Sequence, residues 1–348
     1  MDNNLKKVVI IGGGWYGCHI ASVLKDKFDI TIIEKNNDIF NNSSYYNQNR
    51  LHLGFHYCRN SPTRQLCKEK YNLFSLKYPF LTEKINNNYY LISNDSLIDF
   101  QTFLSIYSFE QFDFELIENT TFNNIDGKII KVNESVINSD KAYNYFKNEL
   151  TNVKQLFNTK VISYEKINNK IFVKTNNEII ECDLLLDCTY NQFGLSKNTY
   201  TYEKTISLLF KKTSNCDFDA VTIMDGNFSS LYPRDVENNI YTLTSVKHTP
   251  LIKSTNYLDV ENYIIDKTKI ENLIDLITKE FELYYPNFLT FFKLEGYFLS
   301  NKTKLQSSSD SRDITIEEIE KNVISVNCGK IYGIFDFEDF IKKYIDNV

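Results

Sequence analysis

Residues 8–11 (VVII) form an unbroken β-branched run between Lys6–Lys7 and Gly12–Gly14. Such a run predicts a strand buried on both faces. Over residues 15–26 the apolar positions Cys18, Ala21, Val23 and Leu24 fall at helical spacing. A second β-branched strand is expected at 30–33, ending at Glu34, and the three pieces have the length of a βαβ crossover. The polar stretch 36–49 reads as a loop. Helices are expected at 63–77 and 96–108, and strands at 89–93, 129–132 and 134–137. Ser139 is placed to cap a helix over 140–150. Short runs at 161–164, 171–175 and 179–181 predict a small meander, and DLLLDC at 183–188 another buried strand. From 205 to 249 the segments SLLFKK, AVTIMDG, SSLYPR and YTLTSV alternate with turns and read as antiparallel. Residues 260–285 look helical, VISVNC at 323–328 is a last buried strand, and 336–345 a closing helix.

The chain has only 11 glycines in 348 residues, so their clustering at Gly12, Gly14 and Gly17 (GGGWYG) stands out. In this GxGxxG pattern the first glycine turns the chain out of the strand. The second lets the backbone approach a pyrophosphate, and the third lets the helix pack on the sheet. The helix N-terminus then offers N–H groups and a positive dipole end to the phosphates. Glu34 stands about 20 residues on, where an acid accepts hydrogen bonds from a ribose. Trp15, Tyr16 and Lys35 belong to the same cofactor-binding stretch. The order strand, glycines, helix, acid points to a dinucleotide. An NAD dehydrogenase would continue with further parallel βα units, whereas this chain enters a polar loop and later antiparallel strands, which favours FAD.

Net charge is −6 with a pI near 5.4, and lysine and arginine are scattered without a basic block. That disfavours bulk nucleic acid as a partner. Seven cysteines without a CxxC pair, and four histidines, argue against a zinc site, so no metal is expected. Reduced thiols suit a cytoplasmic protein. No apolar run approaches the roughly 18 residues a membrane span needs.

Five segments together resemble the D-amino-acid oxidase and glycine oxidase-like superfamily of FAD-dependent oxidoreductases: VVIIGGGWYGCHIASVL with ITIIEK, SSYYNQNRLHLGFHYCRN, KVISY, DLLLDCTYNQFG and VISVNCGKIYGIFDFEDFI. The resemblance implies a loop beneath the flavin ring bearing Ser44, Asn47 and Gln48. It also implies that Val161 packs beside the adenine, that Cys188 and Thr189 turn near the cofactor, and that Gly329, Lys330 and Ile331 lead a helix whose N-terminus faces the flavin. Cys188-Thr189-Tyr190 departs from the family's small-residue turn, and the C-terminal glycines Gly329 and Gly333 are fewer than usual.

Candidate chemistry lies in NQNRLHLGFHY. If that stretch is extended, Arg50, His52, Gly54 and His56 share one side. The histidines would then transfer or orient a proton and Arg50 would meet an anion. The alternative is that Arg50 and His52 only tie down a loop. The resemblance adds Arg312 as a fork for a substrate carboxylate. Arg234, His248 and Tyr232, from the antiparallel region, are candidates for touching substrate. Cys58 and Cys328 are read as incidental thiols, so FAD is expected to be non-covalent.

The expected architecture is α/β: a Rossmann-type FAD-binding domain with a parallel sheet, plus an antiparallel-sheet substrate domain (α+β). The first is expected to comprise 1–75, 139–200 and 305–348, the second 76–138 and 201–304. The implied activity is oxidation of a C–N bond of an amine or amino-acid-like small molecule by hydride transfer to flavin. With no second GxGxxG, oxygen or an external acceptor takes the electrons. Two rivals remain: a flavin-dependent lyase or mutase without net redox, acting on a nucleotide- or sugar-linked substrate, and a non-catalytic flavin-fold binding protein.

Overall fold

Four consecutive β-branched residues cannot put polar atoms on either side of a strand, so Lys7–Ile11 requires cover on both faces and neighbours on both edges. It lies inside a six-stranded sheet, flanked in parallel by Asp29–Ile33 and Leu184–Asp187. Outside these run Lys154–Leu156 on one edge and Val323–Asn327 on the other, also parallel, and last an antiparallel Thr315–Glu320. The structure is a computed structural model, described at residues 6–125, 128–227, 229–306 and 314–347. Its chain divides into two units: Met1–Tyr46, Asp140–Tyr202 and Lys302–Val348 in the first, Asn47–Ser139 and Glu203–Asn301 in the second.

In the first unit the meander Val161–Ile167, Lys170–Thr175 and Ile179–Cys182 covers one face of the sheet, packing Val161, Ile171 and Val173 on Val9, Ile11 and Leu185. Helix Trp15–Leu24 packs with Gly333–Asp346. Helix Ser139–Glu149 begins at Ser139 itself, where a preceding cap was expected. Buried His19 meets Glu338 at 2.9 Å and so ties two helices 319 residues apart in sequence.

That pair makes the unit sensitive to acid. The hydrogen bond from His19, with Lys342 beside it, lowers the Glu338 pKa to about 2, against burial acting the other way. A depressed carboxylate stabilises the fold above its unfolded pKa, and that contribution is lost as pH falls through the folded one. The wild type should therefore exceed Glu338→Gln by about 3 kcal/mol at most near pH 6. The gap should close between about pH 4.5 and 2. Urea melts across that range check it, and a gap constant with pH would remove the pair from the ledger of acid stability.

The second unit is built on a nine-stranded sheet. Its path runs Ile252–Ser254, Tyr200–Lys212, Ile240–Ser245, Ser229–Asp235, Ala220–Met224, Asn88–Ile92, Ile129–Val132, Glu115–Ile117, with Phe292–Leu305 also paired to Tyr200–Lys212. Pairing is not wholly antiparallel as expected: Ala220–Met224 runs parallel to Asn88–Ile92, which a long connection permits and a hairpin would not. Leu91, Val221, Leu231 and Leu243 point to one face, under helix Lys267–Glu282. Tyr90, Ile92 and Met224 point to the other, with Phe55 and helix Phe100–Phe109.

The long helix expected over 260–285 is two, Tyr257–Glu261 and Lys267–Glu282, because Asp266 caps the second by accepting from Lys269 N at 2.8 Å. Residues 47–75, expected with the first domain, lie in the second unit. There Arg50–Leu51 pairs with Ser135–Ile137, itself paired to Thr82–Lys84, and Phe55 enters the Tyr90 core. Among the described residues no helix is long and apolar enough to cross a membrane.

Candidate active site and dinucleotide cradle

The glycines of the first unit do three different things. Gly12 has φ +101°, and a Cβ there would lie 2.8 Å from the Cys188 carbonyl oxygen. Gly17 presses its helix so closely that a Cβ would overlap the Gly12 carbonyl oxygen. At Gly14, by contrast, a Cβ would meet only the Ser44 side chain, with Oγ 2.8 Å away. The space before Gly14 is thus bounded by a rotatable hydroxyl, and the same Oγ accepts from Trp15 N at 3.0 Å. Glu34, almost fully buried, accepts from Gly13 N at 2.7 Å through Oε2 and from Asn36 N and Nδ2 through Oε1. Lys35 follows it, half-buried.

The strand beside Lys7–Ile11 ends at fully buried Asp187, whose Oδ1 accepts from Thr189 N at 3.0 Å and Thr189 Oγ1 at 2.6 Å, while Ser325 Oγ donates to Oδ2. Burial raises the Asp187 pKa, and these hydrogen bonds oppose the rise. They hold the turn that begins at Cys188, where Tyr190 and Asn191 both take left-handed φ, +61° and +57°. Tyr16 OH reaches across to donate to Lys330 O at 2.7 Å, so Gly329, Lys330 and Ile331 are bound to the glycine motif. Val161 is in the core under the meander.

In the second unit Arg50 lies on the Tyr232 ring, 4.3 Å from its centroid. Its Nη2 donates to Tyr90 OH at 2.8 Å and its Nη1 to Ser230 Oγ at 3.2 Å; Nε is buried without a hydrogen-bond partner. Fully enclosed Glu134 lies 3.9 Å from Nη2. It accepts from Leu53 N, Asn88 Nδ2 and Tyr90 OH at 2.7, 3.1 and 2.9 Å. Burial pushes the Glu134 carboxyl up, yet all three partners donate to it, the pattern of a carboxylate. Burial also works against the Arg50 charge, but the surrounding oxygens outweigh it and hold the guanidinium cationic. His56 Nδ1 lies 3.4 Å from Tyr90 OH, and the His56 and His52 rings are 4.2 Å apart.

Residues 10–69 match the family model of an NAD(P)-binding Rossmann-like domain. The FAD-dependent monooxygenase FPY4 of Fusarium mangiferae is 31% identical over 97% of this chain and 90% of its own length. This chain belongs to the FAD-dependent monooxygenase family of FPY4. As a member it is an FAD-dependent oxidoreductase. Its fold is similar to that of glycine oxidase from Geobacillus kaustophilus, with a TM-score of 0.75 at 9% identity over 98% of this chain and 95% of the other. It is similar also to that of L-alpha-glycerophosphate oxidase from Mycoplasma pneumoniae, with a TM-score of 0.77 at 15% identity over 98% and 94%.

Several residues of this flavoenzyme family member sit otherwise than the sequence suggested. The 50–56 stretch is not extended: only Arg50–Leu51 is strand, and Gly54, at φ +106°, turns the chain so that Tyr57 N bonds Gly54 O. His52 and His56 meet across that turn, not by alternation. Arg50 gives both terminal nitrogens to Tyr90 and Ser230, with the Glu134 carboxylate 3.9 Å from Nη2. Gln48 donates to Ser230 O and Thr242 O, and Asn47 O accepts from Arg234 Nη1 at 3.1 Å. The Gln48 side chain is thus held by the second unit's own sheet, while Asn47 meets Arg234 through its backbone carbonyl and its Oδ1 accepts from Gln48 N. His248 pairs with Glu280 at 3.0 Å, on the helix covering the sheet face opposite Tyr90. Tyr232 is fully buried beneath Arg50. Arg312 lies outside the described residues. Sequence reasoning missed Glu134, Tyr90 and Asp187; the usable signal was an acid between or within apolar runs, IIKVNESVI and LLLD.

Proposed function

We propose that this flavoenzyme holds FAD non-covalently in its first unit and oxidises a C–N bond of a small amine or amino-acid-like molecule. The observation that carries the cofactor assignment is the contrast between the glycines. Gly12 and Gly17 face backbone, while Gly14 faces only a movable hydroxyl, beside a buried carboxylate at the strand end. These residues fit a dinucleotide. Gly14 and the first turn of its helix would hold the pyrophosphate, and Glu34 the ribose hydroxyls. Bound there, FAD supplies two-electron redox chemistry.

The protein's own groups handle protons and charge. His56, with His52 packed against it, is assigned to proton transfer at the substrate; Arg50 positions Tyr90 and Tyr232 around them. Burial drives the Cys58 thiol up to about 12 and raises that of Cys328 as well, which supports a flavin not linked through either sulfur. The glycine oxidase fold supports an amine substrate. Oxygen or an external acceptor takes the electrons.

A second reading, insertion of one oxygen atom, is favoured by the name of FPY4. A panel of amines and amino acids, screened for anaerobic flavin bleaching and then turned over under ¹⁸O₂ with and without a reduced nicotinamide as the two-electron donor that oxygen insertion requires, separates the two. Imine-derived carbonyl product without ¹⁸O, alongside an equivalent of hydrogen peroxide, is the expected result. Product carrying one ¹⁸O from oxygen gas would replace C–N oxidation by oxygen insertion, and a panel with no bleaching member would remove the amine reading.

A further inference from the structure

We propose that Glu134 is a positioning residue that acts through Tyr90 to hold His56 as its Nδ1–H tautomer, making Nε2 the proton-accepting atom. The proposal rests on the proton-transfer role given above to His56. It follows from counting hydrogens around one oxygen. Tyr90 OH has three neighbours: Arg50 Nη2 at 2.8 Å, Glu134 Oε2 at 2.9 Å and His56 Nδ1 at 3.4 Å. A guanidinium has only donors, so the Arg50 contact uses a Tyr90 lone pair. Glu134 receives hydrogens from Leu53 N and Asn88 Nδ2 and is an acceptor on every side. The single Tyr90 hydrogen therefore goes to Glu134. What Tyr90 offers His56 is its second lone pair, and only an Nδ1–H can use it. In a neutral imidazole the other nitrogen then carries the basic lone pair.

Burial supports this arrangement. Tyr90 is fully buried and its phenol is held well above the usual range by desolvation, so it stays protonated with one hydrogen to direct. Leu53 N, tied to Glu134 Oε1 at 2.7 Å, belongs to the same turn as His52 and His56, so one carboxylate sets both the backbone of the turn and the direction of the phenol. The rings of His52 at 4.2 Å and Tyr57 at 4.3 Å wall the imidazole in. Arg50 supplies the opposing charge that keeps an anion tolerable here.

Glu134→Gln tests the direction of the phenol. If its carbonyl keeps Leu53 N–H, its NH₂ must face Tyr90. The phenol then accepts from the amide and swings its hydrogen to His56 Nδ1, which forces the proton to Nε2. Tyr90→Phe removes the Nδ1 acceptor altogether. The experiment is ¹⁵N spectroscopy of FAD-loaded protein labelled at histidine, with only four histidines to assign, His56→Ala marking the one of interest. Wild type should show pyrrole-type Nδ1 and pyridine-type Nε2 at His56. Both variants should move towards the reverse pattern, with kcat down about 10-fold or more and KM little changed.

An Nε2–H tautomer in the wild type overturns the proposal, and so do variants that keep Nδ1–H. Should Glu134→Gln fail to fold, the wild-type and Tyr90→Phe spectra still decide. His56→Ala at wild-type turnover would instead overturn the catalytic role of His56 without altering the tautomer result, so the two failures are told apart.

Discussion

Gly14→Val yields a folded protein that purifies colourless, with FAD affinity lower by at least about 10²-fold, the scale of losing a close phosphate contact. The reasoning turns on what each glycine faces. A side chain at Gly14 meets Ser44 Oγ, which rotates away, so the unit assembles. The added methyl groups then fill the approach to the helix N-terminus, where the pyrophosphate has to come within hydrogen-bonding reach of backbone amides. Gly17→Ala gives the contrasting outcome: its Cβ collides with the Gly12 carbonyl oxygen, and backbone cannot rotate aside. That variant should be insoluble or melt far earlier. Absorbance at the flavin bands, circular dichroism and FAD titration of the apoproteins check the pair. A yellow Gly14→Val with unchanged affinity would show that the cofactor does not cross this turn.

Arg50→Ala should lose about 3–5 kcal/mol of stability, the cost of leaving a buried charge without its partner. The charge left behind is Glu134, whose side chain has no exposed surface, and the lost guanidinium also covered the Tyr232 ring. Lysine would not substitute: it cannot bond Tyr90 and Ser230 while lying flat on an aromatic face. The double replacement Arg50→Met with Glu134→Leu should recover little of the stability, since Leu53 N, Asn88 Nδ2 and Tyr90 OH then lose their buried acceptor. It should not recover turnover, because Tyr90 then has no carboxylate to direct its hydrogen. Urea unfolding with FAD-saturated kinetics on each variant separates the effects. An Arg50→Ala protein as stable as wild type but slow in flavin reduction would move Arg50 from anchoring into direct contact with substrate.

The βαβ start was legible because its signals are local: β-branched runs, glycines at fixed spacing and an acid at a strand end each constrain the backbone within a few residues. The turn after Asp187 was less so. Tyr190 and Asn191 adopt conformations expected of glycine, and what holds them is a buried carboxylate whose partner Ser325 lies 138 residues away. Strand Phe292–Leu305 was not foreseen because lysine and glutamate interrupt its alternation, and Thr315–Glu320 because TIEEIE reads as surface. Both are strands by virtue of their neighbours. Glu134 read only as the first residue of a short strand at 134–137: nothing in VNES tells that Tyr90 and Arg50 will close over it. Alternation predicted a shared face for Arg50, His52 and His56, but Gly54 broke the strand, and the histidines came together by the turn instead.

The three-part construction of the first unit also sets a timetable. As the polypeptide leaves the ribosome, Lys7–Ile11 emerges with Asp29–Ile33 ready beside it, but its other neighbour follows only with Asp183, 176 residues later. Glu338, the partner of His19, comes later still. Until then an apolar strand and the buried face of helix Trp15–Leu24 wait with half their cover missing, the circumstance that makes nascent chains sticky and slow to fold. The intervening 47–139 segment is made in that interval, so the nascent protein carries its unfinished first unit through the synthesis of much of the second. Chaperone occupancy should accordingly stay high until Leu184–Asp187 has emerged and fall further once Val323–Asn327 has docked on it.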